Sequence, residues 1–195
     1  MTPHDIKRRL DDSARARRRV VAVIGSGQTT DPRAADVGRL VASLGCDLLT
    51  GGGRGVMEAV SRAFFETAPR KGLVIGIVPA AVEPLETVER REAGAIEYDV
   101  PPGYPNPWVE LAIYTHLPDS GPDGTLRSSR NHINVLSAAA IIALPGGAGT
   151  ESEVWLAVKY GVPIQAFGSR ESAPLGIPFA ETIEDVERFL TGFIS

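Results

Sequence analysis

The chain has 195 residues, 43% hydrophobic and 23% charged, with a formal net charge of −4. That size supports one domain with a real core, and the acidic balance gives no general reason to bind nucleic acid or an anionic membrane. No apolar run approaches the roughly 18 residues of a membrane span, the N-terminus lacks the apolar core of a secretory signal, and the single cysteine, Cys46, excludes an internal disulfide framework, so a soluble, cytoplasmic protein is expected.

Residues 1–19 stand apart as a basic extension, with Lys7, Arg8, Arg9, Arg15, Arg17, Arg18 and Arg19 against Asp5, Asp11 and Asp12. Residues 20–195 are read as one domain. Val20–Ile24 is a β-branched run that ends in Gly25-Ser26-Gly27. Ala34, Val37, Val41 and Leu44 then recur as one helical face, closed by Gly45. Cys46–Thr50 predicts a second strand, running into Gly51-Gly52-Gly53, and Val56, Val60, Ala63 and Phe64 mark a second helix. Leu73–Val78 is a third strand. Ala80–Pro107 breaks the rhythm with five prolines, and a loop of that length in a compact domain is usually functional. Val109–Thr115 predicts a strand, Pro118–Gly124 a turn, Arg127–Ser137 a helix, Ala139–Leu144 a strand and Thr150–Tyr160 a helix. Pro163–Phe167 is expected as the last strand and Thr182–Phe193 as a closing amphipathic helix.

Apolar strands that barely alternate, each followed by a helix, predict an α/β fold with a parallel sheet covered on both faces. Ligands of such sheets bind at the carboxyl ends of the strands, where the strand order reverses. Three glycine turns fall at that edge: Gly25–Gly27, Gly51–Gly55 and Gly146–Gly149. Bare backbone and a helix N-terminus together suit a phosphate. Gly25, Ser26, Gly27, Gly51, Gly52, Gly53, Gly146, Gly147, Ala148, Gly149 and Thr150 are therefore candidate contacts to a small phosphorylated ligand. No turn continues into Gly-Lys-Ser/Thr, so none is a Walker loop, and the first lacks the third glycine of a dinucleotide fingerprint.

The predicted helix Arg127–Ser137 carries a polar stripe at Arg127, Arg130, Asn131 and Asn134, with its N-terminal end toward the ligand edge. Arg130 is a candidate partner for a phosphate, Arg127 and Asn131 further ligand contacts, and His132 either a surface residue or a contact. Glu153 has two readings. Thr150-Glu151-Ser152-Glu153 fits a capping box, with Thr150 as N-cap and Glu153 reaching back to its amide. A carboxylate so close to a phosphate cradle could instead stabilise an oxocarbenium-like state and activate water in N-glycosidic cleavage. Three scattered histidines and one cysteine make no metal constellation, so no metal is expected.

Pro145–Glu153, reading PGGAGTESE, resembles the PGGxGTxxE motif of the "Lonely Guy" phosphoribohydrolases that activate cytokinins. Arg130 stands where that family has its catalytic arginine, and Gly51–Glu58 resembles its second glycine loop. The resemblance spans roughly Val20 to Phe167. It implies a Rossmann-like, doubly wound fold, usually a homodimer or higher homo-oligomer whose active site is completed by a neighbouring subunit. It also implies cleavage of a nucleoside 5′-monophosphate to free base and ribose 5-phosphate by Arg130 and Glu153, with no cofactor required. The second glycine loop is a residue shorter than is usual there, and Ser152 replaces a common acid. Ala80–Pro107 and Ser128-Ser129-Arg130-Asn131 are more similar to a sister group, the molybdenum-cofactor carrier proteins, which bind a phosphorylated pterin without turning it over. The label lysine decarboxylase, often attached to this superfamily, finds no support in three scattered lysines, Lys7, Lys71 and Lys159.

Overall fold

A computed structural model describes residue 2 and residues 17–80, 100–168 and 176–194. Most of the basic extension and residues 81–99 of the proline-rich loop lie outside the described residues. Seven strands form one sheet: β1 (Val20–Ile24), β2 (Asp47–Thr50), β3 (Val74–Val78), β4 (Leu111–Tyr114), β5 (Ala140–Ala143), β6 (Ile164–Phe167) and β7 (Phe179–Ala180). Their order is β4-β3-β2-β1-β5-β6-β7, and every neighbouring pair is parallel. Two-residue β7 lies beyond the strand expected to be last. It pairs Phe179 with Ala166 and is too short to carry a periodicity in sequence.

Among the described residues, five α-helices cover the sheet: α1 (Arg33–Ser43), α2 (Val56–Glu66), α3 (Asn131–Leu136), α4 (Ala148–Tyr160) and α5 (Ile183–Ile194). Alternate residues of each strand point to opposite faces. Val21, Val23, Leu48 and Ile142 pack with Val37, Val41, Val60, Phe64, Val186 and Leu190 of α1, α2 and α5. Ala22, Ile24, Leu49 and Ile141 pack on the other face with Val135, Val154 and Leu156 of α3 and α4. The fold is therefore the α/β, Rossmann-like, doubly wound sheet that the pattern implied. No helix among the described residues is long and apolar enough to cross a membrane.

The chain builds outward from β1 to β4, then returns to the other side of β1 to add β5, β6 and β7. The order thus reverses between β1 and β5, which pair from Val21–Ala140 to Ile24–Ala143. The turns leaving these two strands emerge side by side, and the amide of Ser26 donates to the Pro145 carbonyl at 3.1 Å. The Val56 amide at the start of α2 donates in turn to the Ser26 carbonyl at 2.9 Å. The crevice between them is where a ligand of such a sheet binds.

Candidate functional site

A cavity of about 470 Å³ opens at this switch point, within the usual size of small-molecule sites. The first glycine turn supplies Gly25, Ser26, Gly27 and Gln28 to its wall, and the Ser26 hydroxyl accepts from the amides of Gln28 and Thr29. The third turn supplies Gly147, Ala148, Gly149 and Thr150. Gly146 is exposed, a Cβ added to it would meet Thr150 and the Ser26 amide, and it does not line the cavity.

Helix α4 begins at Ala148 with Gly147 as its N-cap and no side-chain cap. Thr150 is therefore inside the first turn rather than at the cap, and the expected capping box does not form. The first amides of a helix have no intrahelical acceptor, and no side chain caps them here. Glu153 turns across to α3, where its Oε1 accepts from Asn134 Nδ2 at 2.8 Å. Its carboxyl is only 9% exposed and lines the cavity. Burial pushes its pKa above the ordinary glutamate value, and the Asn134 hydrogen bond and the nearby Arg130 charge offset part of the shift.

Helix α3 is shorter than predicted. It starts at Asn131, so Arg130 stands at its N-cap and Arg127 falls outside it. Arg127 is exposed and does not reach the cavity. The early start was a false extension of the i, i+3, i+4 pattern. Residues 126–129 instead form turns closed by Ser129 N donating to the Leu126 carbonyl and Asn131 N donating to Ser129 Oγ. Arg130 is only 5% exposed, and among the described residues no acceptor reaches its Nε or Nη1. Asn131 lines the cavity and donates through Nδ2 to Ser152 Oγ at 2.9 Å, and that hydroxyl donates to the Gly149 carbonyl at 2.8 Å. This chain of bonds fixes the α4 N-terminus against α3. His132 is engaged elsewhere, between the Tyr160 hydroxyl and the Leu126 carbonyl.

In the second glycine turn only Gly51 lines the cavity. The Gly52 amide donates to Thr50 Oγ1 at 3.1 Å, and the Gly52 and Gly53 carbonyls accept from the Asn106 amide and Nδ2. Met57, Tyr104, Ser120 and Gly121 complete the wall. Ser120 and Gly121 were visible in sequence only as part of a turn. Tyr104 and Asn106 lay in a proline-rich stretch whose residues have no periodicity to place them. Among the described residues no group of three or more His, Cys, Asp or Glu could hold a metal ion.

The model of the SLOG cluster4 family matches residues 18–187. An Archaeoglobus fulgidus protein of uncharacterised function is 31% identical over 144 residues, 72% of this chain and 74% of its own length. The molybdenum cofactor binding protein of Rippkaea orientalis superposes with a TM-score of 0.69 and 28% identity, covering 92% of this chain and 99% of that one. The molybdenum cofactor carrier protein of Chlamydomonas reinhardtii superposes with a TM-score of 0.63 and 24% identity, covering 91% and 98%. The latter likeness speaks to the fold alone.

Proposed function

We propose that this chain, which belongs to the SLOG cluster4 family, holds a small phosphorylated ligand at the β1–β5 switch point as a carrier, the ligand being a phosphorylated pterin of the molybdenum-cofactor type. One observation carries this reading. A buried guanidinium that finds no acceptor at Nε or Nη1 among the described residues shares a cavity with the uncapped N-terminus of α4. An unpaired buried cation is costly, and a phosphate accepting from Arg130 and the α4 amides relieves that cost. The pterin is supported by what the Rippkaea orientalis protein binds. Binding without turnover is favoured because burial raises the Glu153 pKa and so disfavours the carboxylate that would stabilise a ribosyl cation.

A second reading is favoured by the place of Glu153 in the same cavity as Arg130. If ionised, it would stabilise a ribosyl cation while water adds hydroxyl to the anomeric carbon and a proton goes to the departing base. No cofactor takes part in that reaction. Incubation with AMP and other nucleoside 5′-monophosphates separates the two. Tight pterin-cofactor binding without release of free base is expected. Release of base and ribose 5-phosphate that Glu153→Gln abolishes would overturn the carrier reading.

A second copy of the chain is the proposed partner of the outer face of α3 and α4, where Leu136 and Trp155 are 59% and 52% exposed beside Val158. Exposed Glu151 and Lys159 lie one turn either side of Trp155, so an antiparallel pairing about Trp155 sets opposite charges together. Sedimentation should show a dimer that Trp155→Glu converts to monomer.

A further inference from the structure

We infer that Tyr104 is a positioning residue that aims the Arg130 guanidinium through a cation–π contact, and that Gly51 and Gly53 are glycines to make room for this pair rather than for a ligand. The inference rests on the reading of Arg130 as the ligand's anion partner. Arg130 Cζ lies 5.6 Å from the centroid of the Tyr104 ring. With Nε and Nη1 lacking acceptors, hydrogen bonds at those atoms do not fix the orientation of the guanidinium. The ring face supplies an attraction that draws the cation toward it.

The surroundings of the pair support the same assignment. A Cβ built on Gly51 would stand 2.5 Å from Arg130 Nη1, and one on Gly53 would stand 2.7 Å from Tyr104 Cζ. A side chain at either position would force these groups to shift; at Gly51 the nearest atoms are those of Arg130, with Met57 Sδ at 2.9 Å, and at Gly53 they are those of Tyr104. Tyr104 is itself tied down. Its amide donates to the Pro101 carbonyl, and two residues on Asn106 grips the Gly52 and Gly53 carbonyls at 2.7 and 2.9 Å. Asn106 is 3% exposed, and its Oδ1 accepts from the Trp108 amide. The segment from 101 to 109 is thus pinned to the second glycine turn so that the ring meets the guanidinium.

The test uses the full chain labelled with ¹⁵N, with the Arg130 Nε–H resonance assigned by its loss in Arg130→Lys. A proton over a ring face is displaced upfield, and this readout needs no ligand. Tyr104→Phe keeps the ring and should keep both the displaced resonance and the affinity for inorganic phosphate, followed by titration. Tyr104→Leu should lose the displacement and weaken phosphate binding about tenfold. Gly53→Ala, whose added methyl pushes the ring aside, should reproduce Tyr104→Leu and serves in its place if that variant does not fold. The assignment is overturned if removing the ring leaves either the resonance or the affinity unchanged, or if Tyr104→Phe fails to restore them. If the unsubstituted protein binds no phosphate, the proposed function falls, while the ring displacement still decides whether Tyr104 aims Arg130.

Discussion

The turn after β5 and the turn after β2 leave one edge of one sheet, and their glycines face different things. At the β5 turn a Cβ added to Gly147 would meet nothing within 4 Å, and the uncapped amides of α4 begin there. At the β2 turn the backbone groups are already engaged, Gly52 N–H by Thr50 and the Gly52 and Gly53 carbonyls by Asn106. Its glycines admit a guanidinium and a phenol. Glycine at a strand end marks a close approach, and only the surrounding atoms say whether a ligand or the protein approaches. On the proposed reading one turn offers the anion site, and the other leaves room for Arg130, the side chain that completes it.

The largest effect expected from this division is at Arg130. Arg130→Met removes the charge and keeps much of the volume. It should lower phosphate affinity about 100-fold, the scale of charge-assisted hydrogen bonds lost from a desolvated site. The ligand-free melting temperature should hold or rise, because the substitution also removes a buried cation whose Nε and Nη1 find no acceptor among the described residues. Titration and thermal melts on the same preparations check both signs. Retained affinity would leave the β5 turn as the whole site and the β2 turn without a part in it.

A smaller effect should distinguish the two turns directly. Gly147 has an extended backbone, φ −104° and ψ −152°, which any residue can adopt. Gly147→Val should therefore leave the melting temperature within about 2 °C while its side chain crowds the anion position and weakens phosphate binding about tenfold. Gly53→Ala should weaken binding to a similar degree but by moving Tyr104. Only the second substitution should shift the Tyr104 ring resonances. If both shift them, the two turns are not separate in function.

The strands, the parallel sheet and the position of the crevice were legible because buried runs such as Val20–Ile24 and Ala140–Ala143 are continuous and end in glycine. Glu153 and the Gly147–Thr150 segment were legible as members of one motif and Arg130 as part of a polar stripe upstream of it, and the structure brings all of them to one cavity. Sequence spacing misled where a local rule competed with tertiary contacts. The pattern that placed Arg127 with Arg130 on a helix is broken by the turns of residues 126–129. The capping box that would have occupied Glu153 yields to Asn134, nineteen positions away. Asn106 bonds residues some fifty positions earlier and Tyr104 faces Arg130, 26 positions later, and nothing local in a proline-rich stretch encodes such pairings.

Glu153 gives the smallest of these effects and the one that separates carrier from hydrolase most cleanly. Because burial raises its pKa, the native state keeps this proton to higher pH than the unfolded chain does. Stability must then fall as pH rises from the ordinary glutamate value of 4.5 through the raised one, and be unaffected by this group below that window. Glu153→Gln preserves an acceptor for Asn134 Nδ2 and removes the titration. Its melting temperature should exceed that of the unsubstituted protein by about 3 °C at pH 8 and converge with it near pH 4. A carboxylate that the Arg130 charge keeps ionised would reverse the order at pH 8. That result would restore to Glu153 the negative charge a ribosyl cation requires, and with it the hydrolytic reading of the cavity.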